Sequence, residues 1–96
     1  MCSDTILRYQ AQPVVSLRIE TENDALLYNP DTDNSTIINK IGILIWQYLE
    51  NPHTEEEIYE HLKSRCTGLP HKEEVLQDIH EFIIGLGDEY LCRFDE

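Results

Sequence analysis

One stretch limits the fold of this chain more than any other. Residues 39–50 read NKIGILIWQYLE. Ile41, Leu44, Ile45, Tyr48 and Leu49 recur at spacings of three and four, which is the period of an α-helix. The spacing predicts a buried side of Ile41, Ile45, Tyr48 and Leu49, with Leu44 beside them. Trp46, the only tryptophan, falls toward the flank, and Ile43 and Gln47 face elsewhere. A stripe this broad predicts a helix packed on more than one neighbour. Asn39 can cap it, because its side-chain oxygen can accept from an amide of the first turn. Asn51-Pro52 ends it, since proline lacks a donor and pushes the preceding residue out of the helical region.

Upstream, the pattern changes period. Residues 1–12 read as a flexible lead-in. After Pro13, Val15, Leu17 and Ile19 alternate with Ser16, Arg18 and Glu20, which predicts a strand with one polar face. Polar turns at residues 21–24 and 29–34 set off two further short strands, residues 25–28 and 35–38. Downstream, Thr54 and Glu57 form a capping box, and Glu55, Glu56 and Glu57 favour the positive end of a helix dipole. Ile58 and Leu62 give that second helix its core face, and Gly68 ends it. A third helix begins near Lys72, with Val75, Leu76, Ile79, Phe82, Ile83 and Leu86 on its apolar side. Gly85 and Gly87 weaken its last turn. Residues 90–94 either form a short final strand or pack as a tail. The expected class is α+β: a three-stranded antiparallel β-meander followed by three helices, winged-helix-like in outline. At 96 residues the chain suffices for one core, expected over residues 13–93 with a tail at 94–96.

Charge narrows the partners. Seven basic residues stand against nineteen acidic ones, a formal net charge of -12. Such a surface repels phosphate backbones and anionic membranes at long range. The third helix offers Glu73, Glu74, Gln77, Asp78 and Glu81 where a DNA-reading helix needs donors to base edges. Neither nucleic acid nor membrane is an expected partner; a protein, and a basic one, is. Three cysteines without regular spacing argue against a disulfide scaffold. No apolar run reaches membrane-spanning length and no signal peptide is visible, so a cytoplasmic location is expected.

The usual signs of chemistry are missing. His53, His61, His71, His80, Cys66 and Cys92 make no paired metal-ligand spacing, so no metal is expected. Cys66, His61 and Asp78 are not brought together by any spacing that nucleophilic catalysis requires. Gly85-Leu86-Gly87 lacks the preceding strand and third glycine of a dinucleotide loop. The expectation is a chain that is not an enzyme and holds no cofactor.

Peptide binding fits better. A meander has two open edges, and an extended peptide can add to one as a further strand. Ser35, Thr36, Ile37 and Ile38 form an attractive edge, free of the proline or lysine that would block pairing. Beside it, some of Val75, Leu76, Ile79, Phe82 and Ile83 could line a groove. The competing reading buries all of them in the core.

Residues 38–50 followed by the Thr54 capping box and Ile58 resemble the PqqD family, also called the RiPP recognition element. The matching features are the Asn39 cap, Gly42, the Ile45-Trp46 pair, Leu49, and Val75, Asp78, Phe82 and Leu86 in the third helix. The resemblance covers roughly residues 13–92, and departs where Asn51 and Tyr90 replace common glycines. It implies three strands followed by three helices, and non-catalytic binding of the leader of a ribosomally made precursor peptide. The leader would add as a strand at Ser35, Thr36, Ile37 and Ile38. Its side chains would meet Val75, Ile79, Phe82 and Ile83, with polar contacts from Lys72 or Gln77. The partner implied is a peptide-modifying enzyme, often a radical S-adenosylmethionine enzyme. The alternative is an acidic winged-helix interaction or regulatory module that binds no leader.

Overall fold

A computed structural model describes residues 7–95. The first six residues of the expected lead-in and the last of the tail lie outside the described residues. The chain runs β1 (Leu7–Ala11), β2 (Ser16–Ile19), β3 (Asp24–Asn29), β4 (Asn34–Asn39), α1 (Lys40–Tyr48), α2 (Glu55–Arg65), α3 (Lys72–Tyr90) and β5 (Leu91–Asp95). The α+β class and the β2-β3-β4 meander are as expected. Two further strands, β1 and β5, pair antiparallel in a second sheet.

Residues 7–11 are therefore not a loose lead-in. Tyr9 is buried and exchanges backbone hydrogen bonds with His53 at 2.8 and 3.0 Å, and the Ala11 amide donates to the Leu49 carbonyl at 2.8 Å. One side of β1 is thus tied to the α1–α2 connection and the other to β5. Its partners lie at distant points of the chain, and five residues with one buried side chain give a weak local signal.

Register sets which face of the meander is covered. Leu17 pairs with Leu27, and Leu27 in turn with Thr36; Ala25 pairs with Ile38. Ala25 and Leu27 are fully buried and Ile38 nearly so. Ile19 stands opposite Ala25 on this face yet is 54% exposed. It ends an edge strand, and α1 packs beneath β3 and β4 instead.

α1 is capped as its sequence predicts: the Asn39 side chain accepts from the Gly42 amide at 2.8 Å. Its buried face differs from expectation. Ile43 and Trp46 are buried with Ile45 and Leu49, while Ile41 is 38% exposed. The helix is enclosed on two sides. Ile45 shares one cavity wall with Leu62 and Ile79 of the other helices, and Trp46 shares another with Val15 and Leu17. A single-face pattern underestimates a helix buried this way.

The Thr54 capping box closes with both of its hydrogen bonds, Glu57 amide to Thr54 hydroxyl at 3.1 Å and Thr54 amide to Glu57 carboxylate at 3.0 Å. Ile58 and Leu62 are fully buried. The Tyr48 ring stacks between His53 at 3.8 Å and His61 at 4.0 Å, fastening the end of α1 to α2. In α3, Val75, Ile79, Ile83 and Leu86 are buried. Gly87 breaks the helical path at φ 66°, a left-handed conformation that glycine adopts without a Cβ penalty. The chain then turns into β5, the strand among the two outcomes left open by residues 90–94.

Candidate functional site: the groove between β4 and α3

β4 is an edge strand. It pairs with β3 on one side, and no described strand covers the other. α3 runs alongside in the opposite sense: Asn39 lies near Phe82, and Asn34 lies near Glu89. Between them is a groove with two compartments, joined where Asn39 and Phe82 line both.

The first compartment is apolar and about 310 Å³. Ile41 and Ile45 of α1, Leu69 of the α2–α3 loop, and Val75, Ile79 and Phe82 of α3 form its walls. The second is about 300 Å³ and more open. Thr36, Ile37 and Ile38 bound it on the strand side, and Glu81, Gly85 and Leu86 on the helix side. Gly85 leaves space there, because a Cβ at this position would meet no atom within 4 Å.

Two local devices hold the strand and helix at this separation. At one end, a Cβ on Gly42 would stand 2.9 Å from the Ile38 Cβ and 3.0 Å from the Phe82 ring. Glycine therefore lets α1, β4 and α3 meet at one point. At the other end, Glu89 near the end of α3 accepts from the Asn34 side-chain amide at 2.6 Å and from the Thr32 hydroxyl. These bonds hold the Glu89 carboxyl below the usual glutamate range. Buried Asn29 adds a third tie, donating to the Glu89 carbonyl at 2.5 Å while its side-chain oxygen accepts from the Asp31 amide.

The residues singled out from the sequence divide. Thr36, Ile37 and Ile38 line the groove from the strand, and Val75, Ile79 and Phe82 from the helix. Ser35 is exposed on β4 but outside both compartments. Ile83 is not in the groove; it is buried, beside Tyr9 and Leu91 under the β1–β5 sheet. The reason is angular, since Ile83 is one residue past Phe82 and so about 100° around the helix. Lys72 is also elsewhere. Its ammonium pairs with Glu56 at 3.2 Å and lies 5.3 Å over the Tyr59 ring, at the α2–α3 junction. Gln77 is exposed and donates to Glu81 at 2.9 Å, so it touches a groove residue without lining the groove.

Sequence reasoning missed Leu69, Glu81 and Gly85, and placed Ile41 wholly in the core. Ile41 had the right helical phase; its exposure comes from facing the groove instead of a neighbouring element. Leu69 carried a weak signal as a lone apolar residue in a polar loop.

Among the described residues, no group of three or more His, Cys, Asp or Glu side chains stands close enough to hold a metal ion. His61 is engaged in the Tyr48 stack, where burial, then Arg65 and His53, push its pKa below the ordinary value. Among the described residues, no helix is long and apolar enough to cross a membrane.

The sequence model of coenzyme PQQ synthesis protein D, PqqD, matches residues 24–91. The chain belongs to the PqqD family. The matched span takes in β3, β4 and all three helices, hence both walls of the groove. No curated protein sequence matches the chain. Two solved structures share the fold. TbiB1, solved in complex with the TbiA(beta) leader peptide, aligns with a TM-score of 0.67 at 19% identity over 83% of this chain and 90% of its own. Lasso peptide synthetase B1, complexed with the leader peptide, aligns with a TM-score of 0.68 at 18% identity over 88% of this chain and 96% of its own.

Proposed function

We propose that this PqqD-family chain binds the leader region of a ribosomally made precursor peptide and presents it to a maturation enzyme. The observation that carries the reading is the open β4 edge beside a groove walled by α3, which continues past Asn39 and Phe82 into an apolar compartment. An incoming strand would satisfy backbone groups along β4 while its inward side chains enter the groove. That division gives affinity from the main chain and selectivity from the pockets. The two structural neighbours, both solved with leader peptides, support the same assignment.

The chain's part in this scheme is not catalytic. Binding raises the effective concentration of the peptide beside an enzyme that holds the reactive groups. The enzyme class that the family resemblance implies is a radical S-adenosylmethionine enzyme, and the cytoplasm, where the precursor is made, is the expected compartment. An isotope-labelled sample titrated with synthetic candidate leader peptides of ribosomally made precursors tests the reading. Shifts concentrated in β4 and the groove face of α3 support it. Saturating leader that moves no resonance in either element refutes it.

A further inference from the structure

The rim of the groove narrows the kind of segment it takes. Asp78 lines the apolar compartment and Glu81 the open one, and both are exposed. They are three residues apart on α3, so their carboxylates lie along one wall, separated by about 4.5 Å of helical rise. No lysine or arginine lines either compartment among the described residues. Lys72, the one lysine of α3, is held by Glu56. The Gln77 amide steadies the Glu81 carboxylate without neutralising it. The apolar compartment therefore has one carboxylate, Asp78, at its wall and a second, Glu81, in the adjoining open compartment, and no lysine or arginine lines either among the described residues.

Resting on the strand-addition reading, we infer that the bound segment combines one bulky aliphatic or aromatic residue with a lysine or arginine a few positions away. The bulky side chain fills the compartment between Ile41, Ile45, Val75, Ile79 and Phe82. The basic side chain lies against Asp78 and Glu81. Residues on one side of a strand recur about every 6.6–7 Å, and a long basic side chain bridges the remaining distance to the rim. A spacing of about two to four positions follows. The net charge of -12 acts in the same direction at long range by steering a basic segment toward the site.

Selection of short random peptides displayed on phage, against the immobilised full chain, tests this with no candidate leader required. A parallel selection uses the Asp78→Asn/Glu81→Gln double variant; both side chains are exposed, so the fold is expected to survive. The expected pool on the native chain couples a bulky apolar residue to Lys or Arg at that spacing. On the variant, the apolar preference persists and the basic one disappears. A synthetic peptide of the selected consensus should bind the variant about five- to tenfold more weakly at low salt, a gap that closes near about 0.5 M salt. An apolar preference with no basic bias overturns this inference and leaves strand addition standing. A native chain that enriches no peptide overturns both.

Discussion

Replacing Gly42 by alanine tests how the groove is built. The added Cβ would lie 2.9 Å from the Ile38 Cβ and 3.0 Å from the Phe82 ring. Ordinary carbon contacts sit at about 3.5–4.0 Å, so both are too close by about 0.5–1 Å. The Ile38 atom is rigidly attached to a paired strand and cannot swing aside, whereas the Phe82 ring is half-buried and can turn toward the groove. Overpacking of this kind costs about 1–3 kcal/mol, and the rigid Ile38 side argues for the upper part of that range. Alanine returns up to about 1 kcal/mol through its helix propensity. The net expectation is a loss of about 1–2 kcal/mol, or about 4–15 °C in Tm for a domain of this size. Thermal unfolding followed by circular dichroism reads the loss, and leader binding should weaken as Phe82 turns. A Gly42→Ala protein that melts at or above the native temperature would refute the close meeting of α1, β4 and α3.

Three further outcomes follow from the same geometry. Gly85→Ala has the opposite stability sign, a gain of about 0.5–1 kcal/mol in thermal or urea unfolding, because its Cβ meets nothing; leader affinity should nevertheless fall, since Gly85 lines the groove. Glu89→Gln loosens the hairpin tip from α3. The depressed Glu89 pKa stabilises the native fold fully above the ordinary glutamate pKa and is lost as pH falls through the folded value, so the Tm gap between native and variant should shrink in acid; a constant gap contradicts the latch. His61 has a depressed folded pKa, so its neutral form favours the fold above the ordinary histidine pKa and protonation opposes it below. Native urea midpoints should fall from about pH 7 to pH 5 more steeply than those of His61→Asn, and equal slopes would contradict the assignment.

Much of the fold was legible because it is local. The Asn39 cap, the Thr54–Glu57 capping box and the helical period of α3 are each written within a few residues. The β4 edge was legible for the same reason, since a meander of three short strands must leave edges. What escaped depends on distant partners. β1 needs β5 and the backbone around His53, from the other end and the middle of the chain. The Glu89 latch joins residues more than fifty positions apart. Ile83 and Phe82 share an apolar run, but only packing decides that Phe82 enters the groove while Ile83 lies under β1. Lys72 looked available for a ligand because its partners, Glu56 and Tyr59, sit on another helix.

The central claim is that a peptide adds as a strand at the outer edge of β4. Amide hydrogen exchange, resolved by residue with and without a leader peptide that binds the chain, tests it most directly. An added strand bonds only the outward amides, so protection should rise at every second residue of β4 and stay unchanged across β2 and β5. Uniform exchange along β4 in the saturated complex, or protection appearing at β2 or β5 in its place, would contradict the account.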